Sequence, residues 1–166
     1  RHRIPTTGFI LREKAKEPGV KRELVRSCQL IPSEILALKR GEDVVREDGT
    51  VISFAEACHP APKPRSYAFA ADTRYWESVA EFVKGVDVLY HEATFGQAMK
   101  QRAEKTFHST AAQAGRIAAK AKVGRLIIGH ISARYTDFDE LLAEARAEFP
   151  RTELAEDGMQ LDVDSF

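Results

Sequence analysis

The stretch "SYAFAADTRYWESVAEFVKGVDVLYHE", residues 66–92, decides the fold. It opens on an apolar run, "SYAFAA", that reads as a strand. "RYWESVAEFVKG" then sets Val79, Phe82 and Val83 on one face of a helix ending at Gly85, and "VDVLY" follows as a second strand. Strand, helix and strand in succession mark a layered α/β protein.

The pattern continues on both sides. "TAAQAGRIAAKAKVG" is a helix that opens with a Thr110/Gln113 capping box and closes at Gly124. "RLIIG" is a third strand, "DFDELLAEARAEF" a helix stopped before Pro150, and "DGMQLDV" a last short strand. Upstream, Gly8–Leu11 reads as a strand and "DVVREDGTVISF" as a hairpin around an Asp48-Gly49 turn. "HPAPKPR" is an extended loop.

The chain has 166 residues, one ordinary domain or part of a larger one, and its 43% apolar content suffices for a packed core. Lys+Arg and Asp+Glu are both 25, so bulk charge gives no support to nucleic-acid binding and any basic patch is local. Cys28 and Cys58 form neither a CxxC pair nor a secreted-disulfide framework, which makes a reducing cytoplasm the simplest home. No apolar run approaches the roughly 20 residues that span a bilayer. The opening "RHRIPTTGFIL" reads like the middle of a strand-turn-strand, so the expectation is a piece of a longer protein. One local excess of positive charge stands out. Residues 12–26 hold six Lys/Arg against three Glu, with a Pro18-Gly19 break, and read either as a solvated helical face or as a basic arm that touches phosphates.

Each apolar strand runs into polar residues: "SYAFAA" into Asp72-Thr73, "VDVLY" into His91-Glu92, and "RLIIG" into His130, with Ser132 and Arg134 beyond. Ligands of layered α/β proteins sit outside the carboxyl ends of strands, so Asp, His/Glu and His exits converging on one cleft would suit a metal hydrolase. Singly these signals are weak. A histidine after a strand is most often structural, as expected for His91, and Asp72 is also placed to cap the helix at residues 74–84.

Taken together, "HRIPTTGF", "YAFAADTRY", "LYHEATF", "FHSTAAQA" and "GHISARY" resemble, in order, the later motifs of the ribonuclease Z family. These are the tRNA 3′-processing endonucleases of the metallo-β-lactamase superfamily. The resemblance covers the whole chain and implies the C-terminal half of an αββα sandwich within a single metallo-β-lactamase-like domain. An exosite arm over about residues 12–40 is inserted in it, with Lys14, Lys16, Lys21 and Arg22 as substrate contacts. It implies His2, Asp72 and His130 as zinc ligands, Asp72 bridging two Zn²⁺, and the Glu92/His108 pair as managers of proton transfer. Two features depart from the family. The His-x-His-x-Asp-His motif is absent and belongs upstream of Arg1, and the arm's usual Gly-Pro appears as Ile31-Pro32-Ser33.

The implied chemistry is phosphodiester hydrolysis. A pair of zincs about 3.5–4 Å apart supplies a nucleophile and neutralises phosphate charge. His108 then acts as the general acid for the departing ribose 3′ oxygen, with Glu92 orienting its ring. The helix start after His108 offers N–H groups to a phosphate. Ser132 and Arg134 are candidate substrate contacts, with a salt bridge to Asp137 or Asp139 the alternative for Arg134. The leading expectation is thus an endoribonuclease that removes the 3′ trailer of precursor tRNA and leaves a 3′-hydroxyl. It would work as a cytoplasmic homodimer in which one subunit's arm serves the other's active site. Alternatives are a phosphodiesterase of the same fold acting on other diesters, and a non-catalytic tRNA-binding half.

Overall fold

The computed structural model describes residues 2–163. They form two compact units, residues 2–12 with 65–163 and, separately, Glu13–Pro64. The chain enters the first unit in strand β1 (Phe9–Arg12).

It then builds the second unit from β2 (Gly19–Val20), α1 (Arg22–Ser27), α2 (Pro32–Lys39), β3 (Val44–Val45), β4 (Val51–Ile52), α3 (Phe54–Ala57) and β5 (Cys58–His59). β2 pairs with β5 and β3 with β4, both antiparallel; the latter is the expected hairpin, with Gly49 at φ +84° in its turn. Leu30, Leu38, Val44, Ile52, Ala57 and Cys58 make this unit's own small core. Pro32 occupies the first turn of α2, where its missing N–H costs nothing, and Glu34 Oε2 accepts from the Ile31 N–H at 3.0 Å. Arg46 grips Glu34 through two N–H donors at 2.7 and 2.9 Å, which holds the Glu34 carboxyl down at about 2.

Back in the first unit come β6 (Ser66–Ala70), α4 (Ser78–Phe82), β7 (Val88–Glu92), α5 (Lys100–Thr106), α6 (Ala111–Ala121), β8 (Arg125–Gly129), α7 (Asp139–Glu148) and β9 (Thr152–Leu154). The sheet runs β1-β6-β7-β8-β9, with β1 antiparallel to β6 and all later pairs parallel. Because β6 to β9 advance one place at a time, right-handed crossovers deliver their helices to the same face. That face holds the core, in which Ala68, Leu89, Leu126 and Ile128 meet Val79, Ile117 and Leu141. Each fully buried Leu or Ile there contributes about 1.5–3 kcal/mol. Gly115 lets α7 close on α6, since a Cβ there would lie 2.6 Å from the Ala145 carbonyl oxygen. On the opposite face Phe9, Phe69 and Tyr90 stack across three strands at centroid distances of 5.2 and 4.8 Å. The described residues thus supply one sheet and one helical layer of the αββα arrangement.

Four local expectations need correction. The helix after β6 begins only at Ser78, because Thr73 spends its backbone N–H on Glu92 and its C=O on Ser109. Phe82 does not share the buried face of Val79 and Val83; it is 65% exposed beside Trp76. α6 ends at Lys122 in the left-handed region (φ +52°) rather than at Gly124. Gly124 serves instead as a close approach, where a Cβ would meet the Asp87 carbonyl oxygen at 2.3 Å. Finally, the last strand is Thr152–Leu154, paired with β8, and "DGMQLDV" forms none among its described residues.

Candidate active site

Parallel pairing brings the carboxyl ends of β6, β7 and β8 to one edge of the sheet. Asp72 lies just beyond β6, Glu92 is the last residue of β7, and His130 follows β8. Asp72 and His130 both sit in the left-handed region, at φ +49° and +58°. Non-glycine residues hold such conformations at a cost that surrounding structure must override, and they gather at functional sites. Here the twist turns the two side chains together, with His130 Nε2 3.3 Å from Asp72 Oδ1. Asp72 therefore does not cap a helix.

Glu92 is fully buried and saturated. Its Oε1 accepts from the Thr73 N–H at 2.6 Å and from His108 Nδ1 at 2.9 Å. Its Oε2 accepts from the Thr94 hydroxyl at 2.6 Å and the Ser109 N–H at 3.0 Å. Four donors from three segments fix this carboxylate and leave it no lone pair for anything else. His108, half-buried, gives Nδ1 to Glu92 and presents Nε2. His2 does the same with a different acceptor, its Nδ1–H donating to the Phe107 carbonyl oxygen at 3.1 Å. The His108 ring lies between the other two, 5.2 Å from His2 and 5.3 Å from His130 between centroids.

One donor atom each of Asp72, Glu92, His108 and His130 falls within 4.8 Å of the others. With Glu92 saturated, the members of the group that keep a donor atom are Asp72, His108 and His130, and Asp72 and His130 face each other at 3.3 Å. Two ligands of a tetrahedral zinc with bonds near 2.0–2.1 Å sit roughly 3.3 Å apart, so the Asp72–His130 separation fits a shared ion. His2 stays outside that tight group while its free Nε2 belongs to the same row of rings. His91 is 1% exposed, with Nδ1 bonded to the Glu92 carbonyl oxygen at 2.7 Å, and burial lowers its pKa. It is a neutral structural histidine.

Comparisons with known proteins bear on the family and the fold. No protein-family model matches the chain. Ribonuclease Z of Parabacteroides distasonis is 47% identical over 163 residues, covering 98% of this chain and 54% of that protein. The chain is a ribonuclease Z homologue. It spans about half the length of the curated relatives it matches, corresponding to their C-terminal half. Among solved structures, the metallo-β-lactamase-fold protein YhfI from Bacillus subtilis superposes with TM-score 0.54 at 27% identity, covering 57% of this chain and 39% of that one. A long form RNase Z from yeast gives TM-score 0.56 at 19% identity, covering 84% and 20%, and bears on the fold alone. The fold of the ribonuclease Z homologue is therefore the metallo-β-lactamase fold.

The other expected site residues fall as follows in the ribonuclease Z homologue. Arg134 is exposed; its Nε donates to Ser132 Oγ at 2.9 Å and its guanidinium lies 5.3 Å from the Phe95 ring centroid. It takes these partners rather than Asp137 or Asp139. In the second unit Lys14, Lys16 and Arg22 are exposed and Lys21 is partly covered. Lys16 reaches Glu13 at 3.8 Å, while Lys14, Lys21 and Arg22 have no carboxylate partner among the described residues. The start of α6 is not free to hold a phosphate, because the N–H groups of Ser109, Thr110, Ala111 and Gln113 bond Glu92, Gln113 Oε1, Phe95 O and Thr110 Oγ1. Sequence reasoning missed Thr73, Thr94 and Ser109 as the other donors to Glu92. Adjacency of Thr94 and Ser109 to the singled-out Glu92 and His108 was the available signal.

Proposed function

We propose that this chain is part of a zinc-dependent endoribonuclease that removes the 3′ trailer of precursor tRNA by phosphodiester hydrolysis, leaving a 3′-hydroxyl. The observation that carries this reading is one carboxylate–histidine pair, Glu92–His108, held beside a second pair, Asp72–His130, whose 3.3 Å separation suits a shared cation. Two Zn²⁺ bound there would supply Lewis-acid charge and a nucleophilic water at neutral pH. Asp72 would bridge them, with His2 and His130 holding one each. The remaining ligands would come from the part of the longer relatives that this chain does not match.

His108 Nε2 donates the proton that the leaving ribose 3′ oxygen requires. Glu92 keeps the ring in place by accepting from Nδ1, so the donor atom always faces outward. Ser132 and Arg134 approach the substrate at the rim, where a planar guanidinium suits phosphate oxygens. The basic residues Lys14, Lys16, Lys21 and Arg22 supply an exosite for tRNA phosphates in residues 12–40. The resemblance supports a homodimer in which that arm serves the partner's site. Two free cysteines suit a reducing cytoplasm, and no helix among the described residues is long and apolar enough to cross a membrane.

The test is to incubate the full-length protein, with Zn²⁺ and after chelation, with a precursor tRNA and to analyse the product ends. Zn²⁺-dependent release of the trailer from a tRNA ending in a 3′-hydroxyl is expected. Failure of the metal-loaded protein to cut would overturn the reading.

A further inference from the structure

Thr94 has one hydroxyl hydrogen and two polar neighbours. Its Oγ1 lies 2.6 Å from Glu92 Oε2 and 2.9 Å from His130 Nδ1. Glu92 already accepts from two backbone N–H groups and from His108, so it acts as an acceptor throughout, and the Thr94 hydrogen belongs to it. The hydroxyl oxygen then offers His130 a lone pair. His130 completes that bond with a ring proton on Nδ1, so Nε2, 3.3 Å from Asp72 Oδ1, is the nitrogen left for a cation. Thr94 is itself immobile: 6% exposed, it accepts from the Ser132 N–H through its carbonyl oxygen at 3.1 Å.

The geometry points to Thr94 as a positioning residue that fixes the tautomer and ring orientation of His130, so that Nε2 is presented beside Asp72 to a divalent cation. This rests on the metal reading given above. One buried carboxylate thereby orients two rings with different duties, His108 directly and His130 through a hydroxyl. A proton donor and a metal ligand are held in register by the same charge, although one follows helix α5 and the other strand β8. Valine has the shape of threonine without the hydroxyl, so it removes the relay and keeps the packing. Serine keeps the hydroxyl and loses a methyl. Oxygen partners of this kind typically raise metal affinity about 10–100-fold through the ligand they orient.

The test uses the full-length protein with Thr94→Val, Thr94→Ser and, for the metal reading, Asp72→Ala. Two quantities are read: the His130 ring ¹⁵N shifts in the metal-free protein, and the Zn²⁺ dissociation constant by chelator competition. Thr94→Val should lose the fixed Nδ1 proton of His130 and weaken Zn²⁺ binding about 10–100-fold, and Thr94→Ser should restore both. A Thr94→Val protein with the parent's His130 tautomer and Zn²⁺ affinity overturns the inference, as does a Thr94→Ser protein that matches Thr94→Val. Zn²⁺ binding indifferent to Asp72→Ala would overturn the metal reading instead. The tautomer in the metal-free protein decides on Thr94 in either case.

Discussion

Asp72 Oδ1 and His130 Nε2 stand 3.3 Å apart, although the two residues follow strands β6 and β8 with β7 between them. Both reach this position from a left-handed backbone conformation. The contact joins two strand exits across a third, and that third exit carries Glu92. The candidate site is thus distributed over the exits of three consecutive, mutually parallel strands.

If this pair holds the cation, Asp72→Ala and His130→Ala should each weaken Zn²⁺ binding by more than about 100-fold, beyond what an orienting partner is worth. Their side chains are 45% and 44% exposed, so the core should be untouched and circular dichroism unchanged. Unaltered Zn²⁺ competition curves for both variants would remove the pair from the metal site.

His108→Ala separates proton donation from metal binding. Cleavage of precursor tRNA should fall roughly 10²–10⁴-fold while Zn²⁺ affinity stays near the parent value. Single-turnover cleavage and chelator competition on the same preparation check this. Turnover that survives the substitution would mean the proton comes from elsewhere.

Replacing Lys14, Lys16, Lys21 and Arg22 together by Glu should suppress cleavage of precursor tRNA and spare a small chromogenic diester. The salt dependence of tRNA binding should become shallower, by up to roughly 0.7–0.9 in log–log slope for each lost phosphate contact. Parallel losses on both substrates would argue against an exosite and for damage to the fold.

Gly124→Ala should destabilise the first unit by about 1–3 kcal/mol, because the added methyl meets backbone, the Asp87 carbonyl oxygen, which cannot swing aside. Gly19→Ala, whose Cβ meets nothing within 4 Å, is the matched control and should be close to neutral. Urea denaturation of the two variants measures the difference. Equal midpoints would show that the β7–β8 approach can widen.

Folding lowers the Glu34 pKa from 4.5 to about 2, first through its hydrogen bonds with Arg46 and then through that from the Ile31 N–H. A depressed carboxyl contributes stability that is fully present above its unfolded value and is lost as pH falls through the folded one. The second unit should therefore weaken between about pH 4.5 and 2, and Glu34→Gln should flatten that decline. Amide exchange at buried Leu38 across this window reports it, and identical profiles for parent and variant would contradict it.

Much of the architecture was legible in local pattern. The strands at Ser66, Val88 and Arg125, the Asp48-Gly49 hairpin and the Thr110/Gln113 cap all follow from side chains that act on their near neighbours. The last strand was not legible. Residues 152–154 and "DGMQLDV" read alike, and parallel pairing with Leu126–Ile128 selects the first. The helix after Asp72 was overdrawn because periodicity cannot register that Thr73 has given its backbone bonds to Glu92 and Ser109.

The sequence read locally placed Asp72, His91-Glu92 and His130 at strand exits, because residue type and alternation are local properties, whereas His2 and His108 entered only through the resemblance to a family. Only the tertiary structure decided that four donors saturate Glu92, that His130 meets Asp72, and that Thr94 lies between Glu92 and His130. Those facts depend on hydrogen bonds between residues up to 36 positions apart, on a contact between Asp72 and His130, and on two left-handed backbone turns. Neither leaves a mark on the order of amino acids.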